Sequence, residues 1–298
     1  PRRVAEDPGP ATAPRTCSVA AAAADPRLPG LQAQVRNADT GEILFDRGGS
    51  TPNRTASTLK VVTSAAALAV FGSEHRFETR VVEGAEPGTI VLVGAGDVTL
   101  SRLPTGTSSV YRDTAHLDDL AARTLAGWAE AGHTEAVSRI VLDASLFGED
   151  AWRSDWNPNA PAEGYHTRVT ALQVDGDRED PTKHGSARGT DPIGRAGAAF
   201  AAYFPGADVV AGTAPADALD LASVSSPSVA SLVGDTLLHS DNMVAEMLAR
   251  LVSIELGDGN TFASLQQAVP AALADYGIPT DGIVIADGSG LSTANAVP

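Results

Sequence analysis

One apolar segment, TASTLKVVTSAAALAVFG at residues 55–72, sets the strongest limit on the fold. Its apolar positions have helical spacing and predict a mostly buried helix. Gly72 follows the last apolar residue and is a typical helix stop. Because a buried helix needs partner elements around it, we expect a layered globular fold that encloses this segment.

Strand and helix patterns alternate on both sides of this segment. Apolar and polar residues alternate around Asp39-Thr40-Gly41, which predicts a hairpin before the helix. Beyond the helix, a loop-rich stretch is predicted over 148–192 and a final strand in GIVIADGSGLS, residues 282–292. Further strands are predicted at 76–84, 88–96, 139–143 and 219–227, and further helices at 18–24, 115–132, 193–204, 227–239, 242–256 and 262–276.

The overall composition is that of a soluble globular protein, with 43% hydrophobic and 19% charged residues among 298. The formal net charge of −16 argues against nucleic acid as a partner, because such binding needs a basic surface. No apolar run reaches the roughly twenty residues that span a bilayer, so the sequence gives no strong membrane signal.

The first seventeen residues are rich in proline, charge and small side chains, and we expect them to be a disordered leader. Cys17 is the only cysteine, so no intrachain disulfide can form. We interpret Cys17 as a lone thiol, because the apolar stretch that precedes a lipidated cysteine is missing.

Ser57 and Lys60 stand three residues apart at the start of the apolar helix, where they share a face. A helix N-terminus favours a developing oxyanion, and a lysine whose pKa is lowered by burial can take the serine proton. The alternative is a helix cap followed by a surface lysine. The spacing alone is weak evidence, because a chain with this many serines produces it by chance.

A second motif, Ser240-Asp241-Asn242, lies between two predicted helices. On a turn, the serine and the asparagine can point into one cleft, where the hydroxyl relays a proton and the amide binds a substrate carbonyl. The alternative is an ordinary turn that caps the next helix. The order Ser-x-x-Lys, then Ser-Asp-Asn, favours the catalytic interpretation.

These two motifs resemble those of the penicillin-recognising serine acyltransferases, the penicillin-binding proteins and serine β-lactamases. The segments TASTLK, LVGAGDVTL, SDNMVAEML and DGSGLSTANAV together resemble the D-alanyl-D-alanine carboxypeptidase/endopeptidase family, the class C low-molecular-mass penicillin-binding proteins. The resemblance covers residues 30–298. It implies an α/β fold of the penicillin-binding-protein and serine β-lactamase type, an antiparallel sheet flanked by helices, with an inserted second domain.

The resemblance also implies a role for each matched residue. Ser57 would be acylated by a D-Ala-D-Ala peptide or a β-lactam, and Lys60 would be its base. Ser240 would pass the proton to the leaving group, and Asn242 would hold the substrate amide. Water would then free the acyl-enzyme. No metal or organic cofactor is implied.

The catalytic domain is expected to be discontinuous, formed by residues 18–81 and 223–298 around an inserted domain at 82–222. Trp156 and Tyr165 lie in a stretch of that insert that resembles the family's pocket for the substrate side chain, and we predict that they bind substrate. Ordinary packing aromatics are an equal alternative for both residues.

Two departures from the family pattern stand out. The Lys-Thr-Gly motif expected after Ser-Asp-Asn does not occur, and Lys183-His184-Gly185 precedes Ser-Asp-Asn, so we interpret it as a decoy. We therefore expect the chain shown to be incomplete at its C-terminal end. Thr293 stands where many members have arginine, which puts a preference for diaminopimelate-type peptides in doubt.

The sequence thus predicts an extracytoplasmic serine carboxypeptidase of the cell envelope, periplasm or secreted fraction. Its partners would be peptidoglycan stem peptides ending in D-Ala-D-Ala and β-lactams. Two alternatives stay open. One is a serine β-lactamase, which would need a glutamate base between the two motifs; Glu163 lies in that interval, but its surroundings do not resemble the β-lactamase loop. The other is a non-catalytic cell-wall binding remnant of the same fold.

Overall fold

The structure is a computed structural model that describes residues 18–298, apart from the side chain of Asp275. The predicted disordered leader at 1–17, including Cys17, lies outside the described residues. The described chain divides into two compact units, residues 18–52 with Pro298, and residues 53–297. Each unit is described by itself below.

The first unit contains a short helix and a hairpin. Helix α1 covers Ala20–Ala23, and strands β1 (Ala33–Arg36) and β2 (Ile43–Arg47) pair antiparallel. In the connecting turn, the Asn37 side chain accepts hydrogen bonds from the backbone N–H groups of Asp39 and Thr40. Gly41 has a φ of +73°. This asparagine turn, completed by a glycine in the left-handed region, closes the predicted hairpin.

The helices of the second unit form at the predicted places, with small differences at their ends. Helix α7 ends four residues early, because Pro270 lies inside its last turn and lacks an N–H donor. Over residues 18–298, no helix has the length and apolar character needed to cross a membrane. The bounds are α2 (Leu59–Phe71), α3 (Leu117–Glu130), α4 (Pro192–Ala201), α5 (Val229–His239), α6 (Asn242–Glu255) and α7 (Leu265–Ala272).

A five-stranded mixed sheet forms within the described part of the second unit, in the order β6-β5-β4-β3-β7. Strands β4, β5 and β6 run parallel, whereas β3 pairs antiparallel with both β4 and β7. Strand β6 was not predicted, because it is a four-residue edge strand that stays exposed. The bounds are β3 (Glu78–Glu83), β4 (Thr89–Val93), β5 (Arg139–Asp143), β6 (Asp208–Ala211) and β7 (Asp220–Ser225).

Two apolar cores stabilise this unit. One core lies where the sheet packs against α3 and α4, and it includes Ile90, Ile140 and Phe200. The other lies among α2, α5, α6 and α7. The predicted domain boundaries at 82 and 222 fall inside the paired strands β3 and β7, and the division into domains stays a prediction.

Helix α6 is the most enclosed helix, since every residue from Asn242 to Ser253 is buried. Helix α2 is less buried than predicted: Lys60, Thr63 and Ala67 face inward, but Val61 is exposed. Helices α2 and α6 pack against each other, and the two sequence motifs lie next to their N-terminal ends.

The predicted strand at 282–292 is wrong. Only Val284 pairs in a β-bridge there, with Ala296. The Asp287 carboxylate instead accepts the backbone N–H groups of Gly290 and Ser292, and Gly290 has a φ of +88°. These local side-chain bonds close a compact loop, so the backbone is not available for an extended ladder.

Candidate active site

Ser57 and Lys60 face each other at the start of α2. Ser57 lies exposed in a 3-10 turn, Ala56–Thr58, that leads into the helix, and Lys60 is only 1% exposed. The Lys60 Nζ lies 3.3 Å from the Ser57 Oγ. The predicted pair is therefore assembled with the hydroxyl open to solvent and the amine buried behind it.

Two further oxygens hold the Lys60 amine. The Nζ donates to Asn242 Oδ1 at 2.7 Å and to the Ser289 carbonyl at 2.8 Å. Both distances are shorter than the contact with Ser57. Both partners are neutral, and within residues 18–298 no carboxylate reaches Lys60 within 4.0 Å as an ion pair.

Burial lowers the pKa of Lys60, because the charged ammonium loses solvation in the interior. The charges of Glu246, Asp241 and Asp287 act in the opposite direction without cancelling this effect. The site therefore makes the neutral amine, which has a lone pair, more accessible than it is for a surface lysine.

The Ser240-Asp241-Asn242 motif is both a helix cap and part of the site. Ser240 ends α5 in the left-handed region, with a φ of +54°. Asp241 caps α6 by accepting the N–H groups of Met243 and Val244. Asn242 opens α6 and directs its amide towards Lys60. The helix-cap interpretation therefore describes Asp241, whereas Asn242 contacts the predicted catalytic lysine.

Ser240 and Asn242 line one cavity of about 250 Å³. The Ser240 side chain is exposed and makes no side-chain hydrogen bond to the described residues. Glu163 and Tyr165 line the same cavity. The structure thus links Ser57, Lys60 and Asn242 by hydrogen bonds, whereas Ser240 shares a cavity wall with Asn242.

A buried ion pair holds the centre of this motif. Arg178 Nη2 donates to Asp241 at 2.8 Å, Tyr111 Oη donates at 3.1 Å, and the Arg188 guanidinium lies 3.7 Å away. Burial alone would raise the pKa of Asp241, but the charges of Arg188 and Arg178, together with the hydrogen bonds to the carboxylate, hold that pKa well below its usual range. Asp241 is therefore a fixed anion that ties the motif to residues 111–188.

The two predicted substrate-binding aromatics have different surroundings. Trp156 is 3% exposed, its indole N–H donates to Asp287 at 2.8 Å, and its ring packs edge-on against His166 and Phe262. Tyr165 is 60% exposed, and its carbonyl accepts from Asn242 Nδ2 at 2.8 Å. Only Tyr165 lines the cavity beside Ser240.

The segment interpreted as a decoy lies near the motif. Lys183 is exposed and pairs with Asp180 at 2.7 Å, while His184 stacks on His239 with a 4.0 Å ring separation. Its lysine is therefore paired at the surface. Among residues 18–298, no three His, Cys, Asp or Glu side chains come together as metal ligands.

Sequence reasoning missed three members of the site: Ser289, Arg178 and Glu246. Ser289 lies in the DGSG segment, and Glu246 follows Ser-Asp-Asn, so both were in segments already singled out. Arg178 belongs to DGDRED, which appears in the sequence only as an acidic turn. A lone arginine among four acidic residues was the available signal for a buried ion pair.

Comparisons with known proteins identify the family of the chain. The chain matches the family model described as the D-Ala-D-Ala carboxypeptidase 3 (S13) family over residues 16–204 and 202–298. The chain belongs to this family. The resemblance predicted from the sequence motifs is therefore confirmed.

Two curated relatives match most of the chain. Carboxypeptidase Rv3627c of Mycobacterium tuberculosis is 34% identical over 291 residues, which cover 96% of this chain and 62% of the relative. Carboxypeptidase DacB of Mycolicibacterium smegmatis is 33% identical over 282 residues, covering 93% and 60%. The chain thus spans about three fifths of the length of these relatives.

The fold is similar to that of penicillin-binding protein 4 (dacB) from Haemophilus influenzae. The TM-score is 0.70 at 20% identity, covering 89% of this chain and 72% of that one. A second structure of that protein, complexed with a β-lactam, gives a TM-score of 0.64 at 19% identity, covering 89% and 70%. The predicted fold class is confirmed.

Proposed function

We propose that the protein is a serine-type D-Ala-D-Ala carboxypeptidase that acts on peptidoglycan stem peptides through an acyl-enzyme, with Ser57 as the nucleophile. The observation that carries this proposal is the buried Lys60 amine, held between Ser57 and Asn242. Family membership and the names of the curated relatives support the same reaction class.

The hydrogen bonds around Lys60 account for its role as base. A neutral amine has two N–H groups and one lone pair. The two short contacts, to Asn242 and Ser289, use the two N–H groups. The lone pair then faces the Ser57 hydroxyl, from which it takes the proton as Oγ attacks the carbonyl of the scissile D-Ala-D-Ala bond.

The later steps use the second motif. Ser240 gives its hydroxyl proton to the nitrogen of the departing D-alanine and regains one from the protonated Lys60 amine, which returns the lysine to its neutral form. The bond between the substrate carbonyl carbon and that nitrogen breaks as the acyl-enzyme forms. Asn242 Nδ2 uses one N–H for the Tyr165 carbonyl and has a second for a substrate carbonyl. A water molecule then hydrolyses the Ser57 ester, which releases the shortened peptide and restores the hydroxyl.

The substrate and location follow from this chemistry as parts of the proposal. The exposed Tyr165 ring is the aromatic positioned to contact a peptide in the cavity, whereas the buried Trp156 donates its indole N–H to Asp287 and serves packing. A β-lactam presents a strained amide to the same serine and leaves a stable ester. Peptidoglycan lies outside the cytoplasmic membrane, so the protein would act there, with endopeptidase cleavage of cross-links as a related activity.

The direct test is covalent labelling. The protein is incubated with benzylpenicillin and its intact mass is measured, beside Ser57→Ala and the matched control Ser73→Ala, which removes an exposed serine at the other end of α2. We expect one adduct on the parent and on Ser73→Ala, and none on Ser57→Ala. Folded parent protein without an adduct, or an adduct retained by Ser57→Ala, would overturn the proposal.

A further inference from the structure

The Glu246 carboxyl group binds the backbone of the C-terminal loop Asp287–Gly290, here called the 287–290 loop. Its Oε2 accepts the Gly288 N–H at 3.0 Å, and its Oε1 accepts the Ser289 N–H at 2.9 Å. Glu246 is fully buried on α6. A buried carboxyl that uses both oxygens on two consecutive backbone groups fixes the position of that backbone.

The same loop contacts the catalytic end of α2. The Ser289 carbonyl accepts from Lys60 Nζ at 2.8 Å, and the Gly288 carbonyl accepts from the Thr63 hydroxyl at 2.6 Å. A side chain on Gly290 would overlap the carbonyl oxygen of Ala56, the residue before the nucleophile. The loop therefore packs closely against both α6 and the Ser57 turn.

We propose that Glu246 is a positioning residue for Lys60: it fixes the 287–290 loop so that the Ser289 carbonyl holds one N–H of the lysine and turns its lone pair towards Ser57. This inference rests on the proposed function. Glu246 itself makes no contact with Ser57 in the described chain and acts through the loop.

Glu246 also acts on Lys60 through charge. Burial and the neighbouring Asp287 raise the pKa of Glu246 to about 8, and its ionised form raises the pKa of Lys60. The other charged or titratable groups that act on this pair are Asp241, Arg250 and His166. Above about pH 8, where Glu246 is mostly ionised, replacing it by a neutral residue removes a charge that holds the lysine proton, so Lys60 loses its proton at lower pH.

The test measures the rate constant of acylation by a fluorescent penicillin between pH 6 and 10. Glu246→Gln has nearly the same shape but has one amide oxygen and no charge, and Glu246→Ala removes both backbone contacts. The control is Glu255→Gln, an exposed glutamate near the end of the same helix. Thermal denaturation of each variant reports its folded fraction, to which the rates are normalised.

For the parent we expect the acylation rate constant to be highest at high pH. The rate constant should be about tenfold lower for Glu246→Gln, which loses the charge and one acceptor oxygen, and lower still for Glu246→Ala, which loses both backbone contacts. The acid limb should move to lower pH in both variants, whereas Glu255→Gln should match the parent. A merely structural role would reduce the folded fraction and leave the pH profile of the folded protein unchanged.

Each outcome separates this inference from the proposed function. No labelling of the folded parent would remove the proposed function and, with it, the basis of the inference. Labelling of the parent together with an unchanged rate and pH profile for folded Glu246→Gln would overturn the inference alone.

Discussion

Two buried ionisable side chains, those of Asp241 and Lys60, lie at the N-terminal end of α6, and their surroundings are opposite in kind. Asp241 is surrounded by cations and donors: Arg178, Arg188 and the Tyr111 hydroxyl. Lys60 is held by neutral oxygens, and the carboxylates that influence it stay beyond ion-pair distance in the described chain. Asp241 therefore has close counter-charges, whereas Lys60 has only neutral hydrogen-bond acceptors.

This difference is the one expected between a structural group and the proposed catalytic base. Compensation holds the pKa of Asp241 below its usual range, so the residue keeps its charge and its geometry at all ordinary pH values. Burial without a close counter-charge lowers the pKa of Lys60, so the residue can exchange a proton with its neighbour. The predictions below change one member of the comparison at a time.

The largest effect is expected when Lys60 is replaced. Lys60→Met keeps much of the side-chain volume but removes the base, so acylation by a penicillin should fall at least about 100-fold, within the usual range for general-base catalysis. Stopped-flow measurement with a fluorescent penicillin gives this number. Lys183→Arg, which changes the exposed lysine, is the control and should match the parent. Near-parent acylation of Lys60→Met would contradict the account.

Asp241→Asn should lower the free energy of unfolding, and not only the rate of acylation. The neutral amide leaves Arg178 and Arg188 buried without their counter-charge, and breaking a buried pair in this way costs about 3–5 kcal/mol. Urea denaturation followed by tryptophan fluorescence measures the change. A loss below about 1 kcal/mol would mean that the ion pair does not hold the motif as described.

Acid titration checks the sign of the same interaction. Because the folded pKa of Asp241 lies below the unfolded value of about 3.9, its stabilisation is present above that pH and is lost as the pH falls through the folded value. The stability difference between parent and Asp241→Asn should stay constant from pH 7 to about 4 and then narrow by up to about 1.4 kcal/mol per pH unit. If the stability difference between parent and Asp241→Asn widened in acid, folding would raise the pKa of Asp241 instead of lowering it, which would contradict this account.

The smallest effect is expected at the Arg112–Asp235 ion pair. Its atoms lie 3.2 Å apart, but the Arg112 side chain is 67% exposed, unlike those of Arg178 and Arg188. Arg112→Ala should therefore change the free energy of unfolding by less than about 1 kcal/mol. The same urea titration measures it, and a loss as large as that of Asp241→Asn would show that burial does not explain the contrast.

Much of this arrangement could be predicted from local patterns. Helical spacing located α2 and α6, and the two motifs identified Ser57, Lys60 and Asn242, because these residues lie at helix starts that the sequence marks clearly. The structure shows where these residues lie, but their roles in catalysis or binding stay a prediction for all six site residues: Ser57, Lys60, Ser240, Asn242, Trp156 and Tyr165.

The parts that could not be predicted depend on contacts between distant segments. Arg178 reaches Asp241 across 63 positions, and Ser289 reaches Lys60 across 229. The DGSG segment has apolar neighbours typical of a strand, yet Asp287 binds local N–H groups and closes a loop. A single sequence indicates local helix, strand and turn propensities. The buried polar contacts described above depend instead on which distant residue each polar group meets in the folded chain.

The most direct measurement of the central claim uses the fact that the chain has only two lysines, Lys60 and Lys183. In protein labelled with [6-13C]lysine, the two side-chain resonances are titrated by NMR, with Lys183→Arg to assign them. Burial should make Lys60 titrate below the ordinary value of 10.5, and the pairing of Lys183 with Asp180 should make that lysine titrate above it. A Lys60 resonance that titrates at or above that of Lys183 would contradict the account.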